Sequence, residues 1–246
     1  MSTVLITGGA KRIGIEIARF FAKNGHNIAL HCNNSVEIAT QNAKMLEKTF
    51  QVKCRVYQHN LENYEQIPQF FQAILHDFPQ IDILINNASF FEKSTIKNAT
   101  STGLLKNFAV HFFAPALLCQ AFAMQQHLQN GAGGLIINML DKNTTRTKTQ
   151  YFEYLQSKKS LLELTKYLAV ELAPNVRVNA ISPGFIIEEE GVLPSDSYIN
   201  HKLSSIPLQK QGKVEDIILA VEYLVNGGYV NGQNLFVDGG AFLLND

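Results

Sequence analysis

The chain has 246 residues, of which 46% are hydrophobic and 17% are charged, and its formal net charge at pH 7 is zero. This length and apolar content are typical of one α/β domain of moderate size, so we expect residues 1–246 to form a single domain. The balanced charge excludes the basic footprint of a nucleic-acid-binding protein, and no apolar run predicts a membrane span.

Short apolar runs alternate with amphipathic segments along the whole chain. Strands are predicted at residues 3–7, 27–31, 53–58, 81–86, 135–138, 176–181 and 234–237. Helices are predicted at residues 13–23, 36–49, 64–77, 102–129, 151–172 and 214–225, and Gly25 is a suitable cap for the end of the first. The alternation predicts a Rossmann-type, doubly wound parallel sheet with helices on both faces. Residues 185–212 lack a clear pattern and are predicted to form a substrate loop.

A glycine-rich turn, residues 8–14 (GGAKRIG), connects the first predicted strand to the first predicted helix. Strand, glycine turn and helix form the layout of a dinucleotide-binding site. Glycine lets the backbone approach a pyrophosphate, and the start of the helix supplies N–H donors and the positive end of its dipole. The alternative interpretation is a tight connection with no ligand.

Tyr154 and Lys158 stand four positions apart within a predicted helix, so both project from one face. A nearby ammonium favours the phenolate, and we therefore expect Lys158 to lower the pKa of Tyr154 so that it acts as an acid. A solvated pair on the helix surface is the alternative.

Metal chemistry is not predicted. The seven histidines show no paired helical spacing, and the three cysteines form no cluster. Cys32, Cys54 and Cys119 are instead interpreted as buried thiols in a reducing compartment. Because the chain also runs directly into a strand without a basic and apolar leader, we expect a soluble, cytoplasmic protein.

Five motifs carry a resemblance to a known family. Residues 7–14 (TGGAKRIG), 86–89 (NNAS), Tyr154-x-x-x-Lys158, 182–184 (SPG) and 237–240 (VDGG) occur in the order and spacing of the short-chain dehydrogenase/reductases, across essentially the whole chain. Asp141 replaces the common active-site serine of that family, and Arg12 replaces the middle glycine of its TGxxxGxG turn. With these departures the chain resembles the pteridine reductase branch, which includes bacterial dihydromonapterin and dihydrofolate reductases. The resemblance implies a homotetramer that uses NADPH to reduce a dihydropterin to its tetrahydro form.

The resemblance implies that Asp141, Tyr154 and Lys158 are catalytic, with Lys158 also holding the nicotinamide ribose. A carboxylate at position 141 would repel the alkoxide that forms when a ketone is reduced. The same carboxylate can accept hydrogen bonds from the amino and ring N–H groups of a pterin, so Asp141 favours a C=N substrate. The alternative is an aspartate that only caps the following segment.

Substrate-binding residues implied by the resemblance are Arg12, Ser89, Phe91, Asp141 and Tyr154. Phe91 matches the aromatic residue that stacks on the pterin in pteridine reductases, although core packing is an open alternative. Arg12 is suited to phosphate oxygens and to the pterin, or is simply a surface arginine. Tyr151 is a weaker candidate contact.

The segment that follows the second predicted strand points to NADPH rather than NADH. NAD-preferring folds place an acidic residue there, whereas this chain has His31, Asn33, Asn34 and Ser35, with Lys11 and Arg12 nearby. Asn60 stands where the family has an aspartate near the adenine. The full predicted cofactor set is Gly8, Lys11, Arg12, Ile13, Gly14, His31, Asn33, Asn34, Ser35, Asn60, Leu61, Asn87, Ala88, Ser89, Tyr154, Lys158, Pro183 and Gly184.

His111 replaces an asparagine that the family places on its long central helix. It is interpreted either as part of a proton path or as a buried structural histidine. Two other functions stay open: a carbonyl or 3-oxoacyl reductase, which Asp141 disfavours, and a non-catalytic NADPH-binding regulatory protein, which Tyr154 and Lys158 disfavour.

Overall fold

A seven-stranded parallel sheet with strand order β3-β2-β1-β4-β5-β6-β7 forms the centre of the fold. The computed structural model describes residues 1–128, 133–186 and 196–244. The strands are β1 (Thr3–Ile6), β2 (Asn27–Cys32), β3 (Cys54–Gln58), β4 (Ile83–Asn86), β5 (Gly134–Met139), β6 (Val176–Pro183) and β7 (Asn234–Val237). The predicted Rossmann-type sheet is therefore confirmed.

Helices cover both faces of this sheet. They are α1 (Arg12–Lys23), α2 (Val36–Phe50), α3 (Ile67–Asp77), α4 (Ser101–Phe108), α5 (Ala114–Leu128), α6 (Phe152–Glu171), α7 (Asp196–Ser204) and α8 (Val214–Asn226). Successive side chains of β1 belong to different core clusters, because Val4 and Ile6 pack with α1, α2 and α8, whereas Leu5 packs with α3 and α5. This alternation follows from a strand buried on both faces.

The end of α1 confirms the interpretation of Gly25. Its φ is 81°, in the left-handed region, and its N–H donates to the Ala22 carbonyl oxygen over 3.0 Å. The His26 N–H reaches back to the Phe21 carbonyl oxygen over 3.1 Å, which completes a Schellman motif.

Several predicted boundaries are wrong. The predicted helix at 102–129 contains a π-helical turn, Ala109–Phe113, between α4 and α5. The helix predicted at 64–77 opens with a 3₁₀ turn, Tyr64–Gln66, before α3 begins with a proline in its first turn. Residues 185–212 contain α7, so they are not a continuous irregular loop, and residues 187–195 of that prediction lie outside the described residues.

One segment, Ser101–Gln125, is long and apolar enough to cross a membrane by length and composition alone, contrary to the sequence-based expectation. In the fold it is the α4 to α5 segment, and buried side chains of α5 such as Leu118 and Phe122 pack into the core beside α3. The segment is thus accounted for as the core helix of an α/β protein.

The strand order places two distant parts of the chain side by side. β1 lies between β2 and β4, so the chain leaves β1 in one direction across the sheet and returns to β4 in the other. The crevice outside the carboxyl ends of strands at such a switch point is where open α/β sheets bind their ligands.

Candidate active site

The glycine turn after β1 is fastened to the segment after β4. The side-chain oxygen of Thr7 accepts hydrogen bonds from the N–H groups of Asn87 (2.9 Å) and Ala88 (3.0 Å). Gly8 has a φ of +62°, and a Cβ on it would lie 2.8 Å from Ala88 Cα, while a Cβ on Gly14 would lie 2.3 Å from the Gly8 carbonyl oxygen. The glycines are therefore required by close backbone approach.

The start of α1 fits an anionic ligand such as the pyrophosphate of a dinucleotide. Its N-cap, Lys11, makes no side-chain capping bond, and the first turn contains no acidic residue. The first N–H groups of the helix and its positive dipole are thus left for a partner outside the helix.

A cleft of about 490 Å³ opens beside this turn and brings most of the predicted site together. From the predicted set it is lined by Gly8, Lys11, Arg12, Ile13, Gly14, Asn87, Ala88, Ser89, Phe91, Asp141, Tyr154, Lys158, Pro183 and Gly184. Sequence reasoning missed Phe90, Met139, Leu140, Phe185 and Lys202. Phe90, Met139, Leu140 and Phe185 adjoin recognised motifs, and Phe185 and Lys202 fall within the predicted substrate loop, residues 185–212, although neither was singled out there.

The two carboxylate oxygens of Asp141 accept hydrogen bonds from different residues. Oδ1 accepts from the Asn143 N–H (2.7 Å) and from Asn143 Nδ2 (2.9 Å), and so caps the turn that follows β5. Oδ2 accepts from the hydroxyl of Tyr154 over 3.3 Å. One oxygen therefore caps the following turn, as the alternative interpretation predicts, and the other faces the Tyr154 hydroxyl in the cleft, while the catalytic role of Asp141 stays a prediction.

The expected effect of Lys158 on Tyr154 is wrong. The pKa of Tyr154 lies well above 10.0, first because the phenol is buried and then because the Asp141 carboxylate opposes a second negative charge. Lys158 Nζ donates to the Met139 carbonyl oxygen over 2.7 Å and lies 5.9 Å from the centre of the tyrosine ring. Burial lowers the pKa of Lys158 itself to about 8.

Behind Tyr154, the buried ring of His111 lies within the π-helical turn. Its Nε2 is 3.1 Å from Ser89 Oγ and its Nδ1 is 3.1 Å from Ser157 Oγ. Burial first, and the charge of Lys158 second, lower the pKa of His111 well below 6.5, so the ring is neutral. The Phe90 N–H also donates to Nε2 over 3.3 Å, so both ring nitrogens have polar partners.

Two aromatic rings form one wall of the cleft. Phe91 is 47% exposed, stacks on Tyr151 with ring centres 4.1 Å apart, and presents its edge to Tyr154. Tyr151 is not the first residue of α6, as predicted, but precedes it with a φ of 62°. Phe91 is thus not a core residue, and its ring borders the cleft.

Arg12 also has a left-handed backbone, with a φ of 54°. This conformation explains why a glycine is usual at this position of the turn, since an L-residue with a Cβ is strained there. Its side chain is exposed and lines the cleft.

Of the two motifs nearest the C-terminus, the first contributes Pro183 and Gly184 to the lining of the cleft, and the second lies against the first. Pro183 pairs with Val237, and the Gly184 N–H donates to the Val237 carbonyl oxygen over 2.9 Å. Asp238 fixes the following turn by accepting from the N–H groups of Gly240 (3.0 Å) and Phe242 (2.7 Å).

The prediction that His31 contacts the cofactor is wrong for its side chain. That ring is buried, its Nδ1 accepts from the Gly8 N–H over 3.0 Å, and its Nε2 lies 2.9 Å from the His59 carbonyl oxygen. Burial lowers its pKa to about 4, so it carries no positive charge for a phosphate. Its side chain instead holds the glycine turn in place through the hydrogen bond from the Gly8 N–H.

The remaining predicted cofactor residues are not among those that line the cleft. Asn33 and Asn34 are exposed after β2, and Ser35 precedes α2. Asn60 accepts from the Glu62 N–H over 3.1 Å, and the side chain of Leu61 is buried in the core. These positions stay predictions.

Comparison with known proteins agrees with this site. A family profile described as enoyl-(acyl carrier protein) reductase matches residues 8–241. The chain is 28% identical to the uncharacterized oxidoreductase YgfF of Escherichia coli, over 98% of this chain and 100% of that protein. It is 26% identical to the 3-oxoacyl-[acyl-carrier-protein] reductase FabG of Staphylococcus epidermidis, over 98% of this chain and 99% of the relative.

Among solved structures, FolM alternative dihydrofolate reductase 1 from Brucella canis, complexed with NADP, is similar with a TM-score of 0.91 and 29% identity. The similarity covers 100% of this chain and 96% of that one. The profile match spans nearly the whole chain and includes the glycine turn, the Tyr154 and Lys158 pair and the cleft between them. The protein is therefore an oxidoreductase of the short-chain dehydrogenase/reductase family, whose members use nicotinamide cofactors.

Proposed function

We propose that this protein uses NADPH to reduce the C=N bond of a dihydropterin to the tetrahydro form. The candidate substrates are 7,8-dihydromonapterin, dihydrobiopterin and dihydrofolate. The observation that carries the proposal is the carboxylate of Asp141, whose Oδ2 lies 3.3 Å from the Tyr154 hydroxyl inside the cleft.

The charge of Asp141 distinguishes a C=N substrate from a ketone. Reducing a ketone places a developing alkoxide beside the catalytic tyrosine, and a carboxylate there raises the energy of that state. Reducing the C=N bond of a dihydropterin adds a hydride to carbon and a proton to nitrogen, so no alkoxide forms. The amino and ring N–H groups of the pterin are donors that Asp141 can accept.

NADPH, when bound, supplies the hydride. Burial and Asp141 keep the pKa of Tyr154 well above 10.0, so Tyr154 is protonated in the ligand-free cleft. In this proposal it is the group that delivers a proton to the ring nitrogen, and the positive charge of Lys158 favours the phenolate left behind. Asp141 orients the pterin, and Lys158 places a positive charge beside the nicotinamide ribose. Phe91, which lines the cleft and stacks on Tyr151, provides an aromatic wall for a flat heterocycle.

NADPH is preferred over NADH in this proposal because positive charge surrounds the glycine turn. Lys11 and Arg12 line the cleft, and the exposed Asn33 and Asn34 are hydrogen-bonding groups without negative charge. The Brucella canis neighbour, whose structure holds NADP, supports the same choice.

A second candidate is the reduction of a 3-oxoacyl thioester or another carbonyl. It is favoured by the similarity to the 3-oxoacyl-[acyl-carrier-protein] reductase FabG. Asp141 disfavours it for the electrostatic reason given above. A third candidate, a regulatory protein that binds NADPH without turnover, is disfavoured by the presence of both Tyr154 and Lys158 in the cleft.

One panel of substrates separates the three candidates. NADPH oxidation is followed with dihydromonapterin, dihydrobiopterin, dihydrofolate and a short 3-oxoacyl ester, each against NADH as the alternative cofactor. Turnover of a dihydropterin alone supports the proposal, whereas turnover of the oxoester alone supports the second candidate. Tight NADPH binding without any turnover supports the third.

A homotetramer in the cytoplasm belongs to the same proposal. Apolar side chains on neighbouring helices, including Met124 of α5 and Tyr167 and Val170 of α6, are more than half exposed and suit a contact between subunits. Light scattering coupled to size exclusion measures the assembly directly.

A further inference from the structure

Lys202 of α7 brings a positive charge to the cleft from outside the recognised motifs. Its side chain is partly buried and lines the cleft together with Phe185. The chain that follows α7 is held against the turn after β7, because the Leu208 N–H donates to the Gly239 carbonyl oxygen over 3.2 Å. A Cβ on Gly239 would lie 2.6 Å from Cγ2 of Ile206, so this contact is close. Packing therefore fixes where Lys202 meets the cleft.

The strand order separates Lys202 from the positive charges of the glycine turn. Lys11 and Arg12 follow β1, whereas Phe185 follows β6, and β4 and β5 lie between these two strands. Neighbouring strands are about 4.8 Å apart, so β1 and β6 are separated by about 14 Å. In the proposed function the glycine turn faces the cofactor phosphates. The charge of Lys202 is therefore left for the substrate side of the cleft.

A second ammonium, that of Lys142, reinforces the positive potential at this end. Burial first, and the charge of Lys202 second, lower the pKa of Lys142, whereas the carboxylates of Asp141 and Asp238 raise it. Both carboxylates already accept hydrogen bonds from backbone N–H groups. An anion placed near the two ammonium groups would reduce their mutual repulsion.

The candidate substrates differ in charge at the tail rather than at the pterin ring. In each of them the tail is attached to the carbon that receives the hydride, so the tail begins beside Tyr154. The tails of dihydrobiopterin and dihydromonapterin carry only hydroxyl groups, whereas that of dihydrofolate is a p-aminobenzoyl group that ends in the two carboxylates of glutamate. Asp141 follows β5, and β6 is the next strand of the sheet. A tail directed towards β6 therefore passes Phe185 on its way to Lys202.

We propose that Lys202 is a specificity-determining residue that binds a carboxylate on the tail of the substrate, so that the enzyme favours dihydrofolate over the uncharged dihydropterins. This inference rests on the proposed function and names the substrate class within it. The ion pair lies away from the reacting atoms and is made equally in the ground state and in the transition state. Its loss should therefore appear in KM and not in kcat.

Steady-state kinetics at saturating NADPH test the role of this charge. Lys202→Met should raise KM for dihydrofolate by about three- to tenfold, between the effect of an exposed ion pair and that of a buried charged hydrogen bond. The kcat for dihydrofolate and the KM for dihydrobiopterin should each stay within about twofold, since neither depends on the ion pair. Lys202→Arg keeps the charge and should recover most of the loss.

Lys210→Met is the matched control, because Lys210 is exposed and is not among the residues that line the cleft. It should leave both KM values unchanged. Salt provides a second readout that a merely structural role of Lys202 would not move. Between about 0.05 and 0.3 M NaCl, screening should raise KM for dihydrofolate but not KM for dihydrobiopterin, and this salt effect should be smaller in Lys202→Met.

An unchanged KM for dihydrofolate in Lys202→Met would overturn the inference, and so would an equal loss with dihydrobiopterin. NADPH affinity, measured by fluorescence titration, should be the same in wild type and Lys202→Met. A weaker affinity in the variant would assign the lysine to the cofactor and would also overturn the inference.

Dihydrobiopterin distinguishes failure of the inference from failure of the proposed function. If it is reduced and the KM for dihydrofolate does not depend on Lys202, the pterin proposal stands and this inference falls. If neither dihydrobiopterin nor any other dihydropterin is reduced, the pterin proposal falls and this inference falls with it.

Discussion

The Tyr154 hydroxyl donates a hydrogen bond to Asp141 Oδ2 over 3.3 Å. Two groups that would both be anionic therefore share the centre of the cleft, and the proton of Tyr154 lies between them. The pair favours a protonated tyrosine, which is the state needed to donate a proton.

Tyr154→Phe removes that proton while keeping the ring. We expect turnover to fall by about 10²- to 10⁴-fold, the range attributed to a general acid. NADPH binding, followed by fluorescence titration, should be nearly unchanged. Full activity of the variant would remove Tyr154 from the mechanism.

Asp141→Asn separates the charge of Asp141 from its capping role. The amide oxygen can still accept from the Asn143 N–H, which now donates to Oδ1 over 2.7 Å, so we expect the free energy of unfolding to change by less than about 1 kcal/mol. Loss of the charge should lower kcat/KM for the dihydropterin by about tenfold or more, because hydrogen bonds to charged groups contribute about 1.5–3 kcal/mol.

Asp141→Ser is the companion variant, since it installs the hydroxyl usual in this family. It should reduce dihydropterin activity more than NADPH affinity and improve the relative rate with a 3-oxoacyl ester. An unchanged pterin rate in both variants would refute the electrostatic argument for a C=N substrate.

Arg12 provides a test of backbone strain that is independent of catalysis. Its φ of 54° is easily adopted by glycine but costs an L-residue about 1–2 kcal/mol. Arg12→Gly and Arg12→Ala both lose the guanidinium, so both should weaken NADPH binding. Only the glycine variant relieves the strain. Its free energy of unfolding, measured with urea, should therefore exceed that of the alanine variant by about 1 kcal/mol. Equal stabilities would contradict the left-handed assignment.

The lowered pKa of Lys158 predicts a pH dependence of stability. The folded protein releases this proton near pH 8, whereas the unfolded chain keeps it up to the ordinary value of 10.5. Between these values the unfolded state binds more protons, so the contribution of Lys158 to stability rises with pH across that window. Below about pH 8 both states are protonated, and the slope from this group vanishes.

The free energies of unfolding of wild type and Lys158→Met are measured with urea at pH 7.5, 8.5 and 9.5, without added NADPH. The change with pH of the difference between the two proteins is the contribution of Lys158. Taking the difference removes the contribution of the cysteines, whose raised pKa values make stability fall as the pH rises above about 9. Lys159→Met, which changes the next and more exposed lysine, is the matched control. A difference that does not change with pH would argue against a buried ammonium at position 158.

The fold and most of the cleft could be predicted because their signals are local. The glycine turn, the Asn87 to Ser89 segment and the Tyr154 and Lys158 pair are contiguous motifs, and the parallel sheet brings their strand ends to one edge. The residues of α7 that reach the cleft, such as Lys202, carry no such motif and are placed there only by tertiary packing.

The electrostatics of the site could not be predicted in the same way. Lys158 and Tyr154 are neighbours on α6, yet the ammonium is directed to the Met139 carbonyl oxygen and both groups are buried. Helical spacing indicates which residues share a face, but not how much water surrounds them, and burial determines the direction of both pKa shifts. His31 illustrates the importance of burial as well, since it lies in β2 between the buried Leu30 and Cys32 and its ring is enclosed, unlike the exposed Asn33 and Asn34 that follow.

The π-helical turn Ala109–Phe113 constrains how the chain length can vary near the site. Such a turn accommodates one more residue than the α-helix on either side, and each α-helical residue advances the helix by about 100°. Deleting one residue there would restore regular winding and rotate His111 relative to the packed side chains of α5. We therefore expect a one-residue deletion in this turn to break the contact between His111 Nε2 and Ser89 Oγ, which lie 3.1 Å apart.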